Sequence, residues 1–410
     1  MSRTVPRVCL YGLFGIGNLG NEASLAALLL GLRDRQPDAQ VTCLSAHPAA
    51  VLTEHGVPGT SLMAFSSAVS PAGPVKKILG RVVDVPRTLR LVGRADLVVV
   101  PGMGVLEETL GTKPWGLPYW LFLATLSCRL RGRRLALVSI GVDTPRNPLN
   151  RLLFRATLRL AHYRTYRDTL SREAAAALGV TAGPEDIRPD LAFALPLPVL
   201  RPVVPGRVAL GVMAYYGRDD DPVRGGHIRA RYVEQLTVFV ARLLEAGRSI
   251  TLVIGDGVDR EIADQIRDGV LAAHPEFPPE GVRVAAANTL DDLMAEMSAA
   301  EVVIGSRFHN VLSALRLAKP TISIAYAPKN DELMACFGLG EYCQTIESLD
   351  VELLELQLGE VLVTHPDRES RMRELIDHYT SDLDRQFDLL FPPAIHSPEV
   401  VHASSPGSSP

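Results

Sequence analysis

The sequence predicts an α/β protein built as two Rossmann-like lobes facing a cleft. Three observations carry this: short apolar runs alternate with helix-like segments, the alternation halts at a proline-rich stretch, and it then starts again. At 410 residues the chain is too long for one ordinary core, which agrees with two domains of roughly 150 to 200 residues each.

In the first half, strands are expected at Arg7–Phe14, Gln40–Ser45, Asp96–Pro101, Arg134–Ile140, Tyr163–Arg167 and Ile187–Phe193. Helices fall between them at Glu22–Arg33, Pro118–Leu130 and Thr169–Leu178. The stretch PLPVLRPVVPG, Pro196 to Gly206, holds four prolines and reads as a linker. The first domain is therefore set at 1–196 and the linker at 197–206. In the second domain, 207–346, strands are expected at Arg207–Ala214, Ser249–Gly255, Val282–Ala286, Val302–Gly305 and Thr321–Tyr326. Its helices are placed at Ala230–Ala246, Asp259–Ala272, Leu290–Ala299, Asn310–Leu317 and Asp331–Phe337. C-terminal helices occupy 347–391, near Val351–Val361 and Arg368–Leu390, the last returning to the first lobe. The Ser- and Pro-rich tail, 392–410, is expected to be disordered.

Composition narrows the partners. Lys plus Arg number 42 against 46 Asp plus Glu, a net charge of -4, and no long basic run offers a nucleic-acid footprint. The N-terminus runs straight into a strand without an apolar signal core. The longest apolar stretch, Leu117 to Leu126, is too short for a membrane helix and is followed by Arg129, Arg131, Arg133 and Arg134. A cytoplasmic protein with no transmembrane segment is expected, with peripheral contact to the inner face of a membrane left open. Five scattered cysteines, Cys9, Cys43, Cys128, Cys336 and Cys343, form no C-x-x-C pair, so buried thiols are expected rather than disulfides or zinc, and no metal site is assigned.

YGLFGIGNLGNEASL, residues 11 to 25, holds Gly15, Gly17 and Gly20 in the spacing G-x-G-x-x-G. A dinucleotide site would also place an acidic residue at the end of the second strand to hold the ribose, and here that strand ends Ser45-Ala46-His47. What survives is a strand, a glycine turn and a helix whose free N–H groups around Asn21 to Ser24 could receive an anion or a sugar hydroxyl. The alternative is that the glycines only permit a tight turn.

Three segments carry a resemblance. Gly12 to Ala23, in the pattern G-x-x-G-x-x-N-x-G-N-E-A, resembles the opening motif of the polysaccharide pyruvyl transferase family, which usually has aspartate where this chain has Asn21. Tyr166-Arg167-Asp168 with Ser171, Leu178-Gly179-Val180 and Pro189-Asp190 is a second match. The third and most specific is IGSRFHNVLSALRLAKPTISIAYAPKNDEL, Ile304 to Leu333, similar to the family's R-x-H … G-x-P … Y-x-x-K segment. The resemblance implies transfer of an enolpyruvyl unit from phosphoenolpyruvate, as co-substrate, to a sugar of a cell-surface polysaccharide, glycolipid or precursor, giving a pyruvate ketal. It implies no further cofactor and a sugar or glycan acceptor that includes lipid-linked forms; a homo-oligomer is left open.

The third segment reads strand, helix, strand, so a right-handed crossover sets the two strands parallel and brings their carboxyl ends to one edge. Arg307 and His309 follow the first strand and Lys329 follows the second. Arg307, Lys329 and Arg167 are candidate cationic forks for the donor's phosphate and carboxylate. His309 is the candidate acid–base group, held neutral at a helix N-terminus until a bound phosphate favours the cation. The plainer alternative has His309 capping its helix and the two cations pairing with surface carboxylates.

Acceptor-side or loop candidates are Gly15, Asn18, Gly20, Asn21, Glu22, Asp168 and Asp190, with Asp168 equally suited to a helix cap. Trp115, in GTKPWGLPYW with Trp120, could stack on the acceptor or simply pack. Glu107, Glu108, Asp256 and Asp259 sit at strand ends with no role fixed. Two other functions share the architecture: a glycosyltransferase of the two-domain B type using a nucleotide sugar, and a catalytically silent sugar-binding relative, suggested by Asn21.

Overall fold

In the computed structural model, residues 5–64, 74–108, 113–217 and 221–392 are described. The first lobe runs β1 (Arg7–Gly12), α1 (Leu19–Arg35), β2 (Gln40–Ser45), α2 (Pro48–His55), β3 (Gly59–Ser61), α3 (Pro74–Val92), β4 (Leu97–Pro101), α4 (Leu117–Leu130), β5 (Arg134–Ile140), α5 (Pro148–Leu160), β6 (Tyr163–Tyr166) and α6 (Thr169–Ala177). The second runs β7 (Arg207–Val212), α7 (Pro222–Glu245), β8 (Ser249–Ile254), α8 (Arg260–Ala273), β9 (Val282–Val284), α9 (Leu290–Ser298), β10 (Val302–Gly305), α10 (Phe308–Arg316), β11 (Thr321–Ala325), α11 (Pro328–Cys336) and β12 (Cys343–Thr345). Helices α12 (Val351–Thr364) and α13 (Pro366–Leu390) close the described chain.

Each lobe holds one six-stranded parallel sheet, ordered β3-β2-β1-β4-β5-β6 and β12-β11-β10-β7-β8-β9. Parallel sheets flanked by helices bury both faces, so their central strands read as unbroken apolar runs rather than as alternation. Val98 to Val100, Leu135 to Val138 and Val302 to Ile304 are all buried. In both sheets the chain moves outward from the first strand in one direction and then returns to its other side. The strand order therefore reverses between β1 and β4 and between β7 and β10, and ligands of such sheets bind outside the carboxyl ends at these points.

The two lobes meet along the carboxyl edges of their sheets. Asn18 Nδ2 donates to Asp256 Oδ2 at 3.0 Å, and the Leu19 N–H donates to the Gly255 carbonyl at 3.2 Å. Helix α13 packs back on the first lobe. Phe387 lies against Gly31 of α1, Gln386 accepts from the Thr165 hydroxyl at 2.7 Å, and Arg35 reaches Asp388 at 2.7 Å. Burying a ring such as Phe387, 2% exposed, is worth about 1.5–3 kcal/mol, more than the surface ion pairs beside it.

The structure corrects several expectations. Ile187–Phe193 is not a strand. Ile187 makes one isolated bridge to Tyr166, then Pro189 supplies no N–H and the Asp190 carboxylate caps a 3-10 turn over Leu191–Ala194 through the Ala192 N–H. The short strands β3 and β12 were not anticipated, nor were α2, α3 and α5. Helix α3 carries Pro86 in its interior, a residue that normally argues against a helix, whereas α5 shows an Asn147 cap followed by Pro148, a start signal that could have revealed it. Cys336 is exposed and Cys343 half-buried, so only Cys9, Cys43 and Cys128 are the buried thiols expected of all five. Almost all of the expected tail lies outside the described residues. Among the described residues, no helix is long and apolar enough to cross a membrane.

Candidate active site

The glycine loop serves the inter-lobe contact. Gly15 adopts φ +78°, and a Cβ there would lie 2.6 Å from the His47 carbonyl, so the turn requires glycine. Its N–H donates to Glu22 Oε1 at 2.7 Å. Asn18 caps α1 through the Asn21 N–H, while Asn21 Nδ2 donates to the Leu13 carbonyl at 3.1 Å. Gly20 has an ordinary backbone, but a Cβ on it would stand 2.1 Å from the His309 imidazole. The third glycine of the motif thus lets the first lobe approach His309. Glu22 also faces His55 at 3.7 Å, and with Glu54 these are three potential ligand groups within 4.8 Å of one another, a cluster that sequence reading did not foresee.

His309 is the second residue of α10, and its Nε2 lies 3.6 Å from Oδ2 of the buried Asp190. That is an ion-pair distance, longer than a hydrogen bond. Burial pushes the Asp190 carboxyl up, but His309 and Arg167 together outweigh it and hold the group below the usual carboxylate range. When the imidazole carries a proton, Asp190 is its counter-ion.

Arg167 and Lys329 share one carboxylate. Arg167 Nη2 and Lys329 Nζ each stand 2.8 Å from Glu107, and Arg167 also pairs with Asp168 at 3.4 Å and Asp190 at 3.5 Å. Burial lowers the pKa of both cations, yet Glu107, joined by Asp168 and Asp190 for Arg167, outweighs it and raises both, even though Arg167 pulls Lys329 down, so both stay charged. The Phe308 ring lies under both, 4.5 Å from the Arg167 guanidinium and 5.8 Å from the Lys329 ammonium. Arg307 is held elsewhere: its guanidinium grips Asp259, which is 0% exposed, through bonds of 2.9 and 2.6 Å. The Lys329 ammonium also stands 5.3 Å from the centre of the Tyr326 ring.

The structure therefore brings His309, Asp190, Arg167, Asp168 and Lys329 together, whereas Arg307, expected beside them, is held on Asp259. The alternative of pairing with surface carboxylates is replaced by pairing of Arg307 with the buried Asp259 and of Lys329 with the half-buried Glu107. Asp168 does cap α6, accepting from the Ser171 N–H at 2.7 Å, and Glu332 of the second lobe accepts from the Thr169 N–H of the same helix at 2.7 Å. Trp115 is half exposed and packs with Tyr119 and the Arg81 guanidinium, outside this cluster. Glu107, left without a role by sequence reading, is central. Tyr326, Phe308 and Asp143 were missed, although Tyr326 opens the Y-x-x-K motif and Asp143 follows a strand end.

Beside the cluster, a cavity of about 490 Å³ opens between the lobes. Glu107, Asp143, Asp168, Glu173 and Lys329 are among its lining residues, with Val142, Leu170, Ala174 and Pro328 forming apolar wall. Asp143 Oδ2 accepts from the Glu108 N–H at 2.6 Å, while its buried Oδ1 has no hydrogen-bond partner among the described residues. Burial above all, with Glu107 and Glu108, pushes the Asp143 carboxyl up to about 6 against the pull of the Glu108 N–H and Lys329.

A family model described as polysaccharide pyruvyl transferase matches residues 18–328. No curated protein sequence matches the chain. Among solved structures, the UDP-GlcNAc 2-epimerase of Methanocaldococcus jannaschii is similar over 87% of this chain and 93% of that one, at 10% identity and TM-score 0.57. The UDP-GlcNAc-bound 2-epimerase of Neisseria meningitidis covers 90% and 94% at 10% identity and TM-score 0.55. The lipopolysaccharide outer core galactosyltransferase WaaB covers 92% and 98% at 12% identity and TM-score 0.53. These likenesses show a two-lobe fold of the glycosyltransferase-B kind.

Proposed function

The chain belongs to the polysaccharide pyruvyl transferase family, and we propose that it moves an enolpyruvyl unit from phosphoenolpyruvate to a sugar, releasing phosphate and leaving a cyclic pyruvate ketal across two hydroxyls. The observation that carries this reading is His309 beside the buried Asp190 at 3.6 Å, with Arg167 and Lys329 on the same cluster. Phosphoenolpyruvate presents a carboxylate and a phosphate, and charge-assisted bonds from guanidinium and ammonium groups suit both. Arg167 and Lys329 bind them, with Arg307 as a further cationic fork. His309 delivers a proton to the donor's methylene carbon, turning it into a methyl group, and Asp190 balances the charge of the imidazolium before transfer.

Carbon C2 then carries the developing positive charge and is attacked by an acceptor hydroxyl. Nearby carboxylates stabilise that charge by position alone. Incubating the full chain with phosphoenolpyruvate and a panel of lipid-linked or nucleotide-linked sugars tests the reading. The expected result is phosphate release together with the added mass of a pyruvyl group. The fold is also that of proteins acting on nucleotide sugars, so a chain that binds UDP-GlcNAc and ignores phosphoenolpyruvate supports the glycosyltransferase reading instead.

A further inference from the structure

We infer that the cavity of about 490 Å³ between α6 and α11 is the acceptor site, that it takes a neutral hexopyranose ring, and that Asp143 receives the proton of the attacking hydroxyl. The proposal rests on the pyruvyl-transfer reading for its proton step and on the cavity's own chemistry for its ligand.

Size comes first. The volume falls within the range of about 300–1,000 Å³ usual for small-molecule sites, and the walls combine apolar surface with a few convergent polar groups. Charge comes next. Among the described lining residues, four side chains, Glu107, Asp143, Asp168 and Glu173, are carboxylates, whereas Lys329 is the single cation and is already paired with Glu107. Such a lining repels a phosphate or carboxylate and accepts hydrogen bonds from hydroxyls. It suits a sugar and disfavours the anionic donor, which belongs on the Arg167 and His309 side.

Geometry singles out Asp143. Its Oδ2 is fixed by the Glu108 N–H at 2.6 Å, and its Oδ1 is buried without a partner among the described residues. A buried carboxylate oxygen left unpaired carries a desolvation penalty that an incoming hydroxyl relieves. The rise of its pKa to about 6 makes it a stronger base than an ordinary carboxylate while leaving it ionised at neutral pH. Lys329 lines the cavity and also contacts Glu107, which contacts Arg167, so the acceptor hydroxyl and the donor meet across this pair.

The step balances. His309 protonates C3 of the donor as the double bond opens. The hydroxyl oxygen bonds to C2, and its proton passes to Asp143. The C2–O bond to phosphate breaks with its electron pair on phosphate, the second hydroxyl bonds to C2, and its proton leaves with inorganic phosphate. Asp143 then returns its proton, and His309 regains one, through solvent.

Two variants of the full chain separate occupancy from chemistry. Ala177, exposed at the cavity wall, becomes Phe in A177F and narrows the space without disturbing the core. Binding of neutral methyl hexopyranosides is read by saturation-transfer NMR and phosphoenolpyruvate binding by calorimetry. The wild type should bind at least one such ring, A177F should bind it at least tenfold more weakly, and phosphoenolpyruvate affinity should stay within about twofold. D143N should keep both affinities and lose pyruvyl addition by about 100-fold or more, the usual worth of a positioned base. It should also lose the acid limb near pH 6, which burial above all, with Glu107 and Glu108, pushes up and the Glu108 N–H and Lys329 pull down. No ring binding by the wild type, or unchanged binding in A177F, overturns the cavity as a hexopyranose site. D143N with near-normal turnover overturns the proton role. A wild type that ignores phosphoenolpyruvate overturns the pyruvyl-transfer reading and that proton role with it, while weaker ring binding in A177F still upholds the sugar site.

Discussion

The imidazole of His309 lies against the backbone of Gly20, so close that a Cβ at position 20 would sit 2.1 Å from the ring. Alanine is normally the better helix residue by up to about 1 kcal/mol, yet Gly20→Ala should push the imidazole off Asp190. A displacement of about 1 Å at a reacting group can cost about 100-fold in rate. In a His309→Ala background the same change should be neutral or slightly stabilising. A double-mutant cycle by thermal denaturation checks this, and equal effects of Gly20→Ala in both backgrounds would contradict it.

Arg307 and Asp259 form a bidentate pair around a carboxylate that is 0% exposed. Breaking such a pair leaves a buried charge uncompensated, at a cost of about 3–5 kcal/mol. Asp259→Ala and Arg307→Ala should therefore both lower the unfolding midpoint in urea, and Arg307→Ala should weaken donor binding besides. An Arg307→Ala protein as stable as the wild type would show the pair to be incidental.

Glu107 stands 2.8 Å from both Arg167 and Lys329, where it competes with the donor's anionic groups. Glu107→Gln should reduce stability but tighten phosphoenolpyruvate binding by about tenfold, equivalent to about 1.4 kcal/mol. Calorimetric titration decides the sign. Weaker binding would mean that Glu107 chiefly orients the two cations.

Asp143 gives a pH signature of stability. Its folded pKa, pushed up to about 6, lies above the unfolded value of about 3.9, so above pH 6 the folded state carries a penalised charge, and below the unfolded value the penalty is gone. The full shift corresponds to nearly 3 kcal/mol, which partial exposure reduces to about 1–2 kcal/mol. Asp143→Asn keeps an acceptor for the Glu108 N–H and removes the charge. It should melt higher than the wild type at pH 8 and at the same temperature near pH 3.5. A lower melting temperature at pH 8 would contradict the burial account.

The strand–helix alternation was legible because parallel strands buried on both faces must be apolar throughout, and His309, Arg307 and Lys329 were legible because they follow strand ends. Partnerships between lobes were not. Glu107 is 222 positions from Lys329, and Asp190 is 119 from His309, so nothing local links them. The glycine motif misled in part: Gly15 is fixed by φ, but Gly20 is fixed by a ring from the other lobe, an approach that no spacing reveals. At Asn21 the amide donates to the Leu13 carbonyl, which the aspartate usual in relatives cannot do when ionised, so the departure has a local structural use.

The central claim is donor chemistry at His309, and one comparison tests it most directly. Wild type and His309→Ala are incubated with phosphoenolpyruvate and the sugar panel, with donor affinity from calorimetry and pyruvyl addition from mass spectrometry. The account predicts that wild type adds a pyruvyl group to a sugar, and that His309→Ala binds phosphoenolpyruvate nearly as well but adds pyruvyl about 100-fold more slowly or worse. Near-normal addition by His309→Ala, or a wild type that binds UDP-GlcNAc and leaves phosphoenolpyruvate untouched, would contradict it.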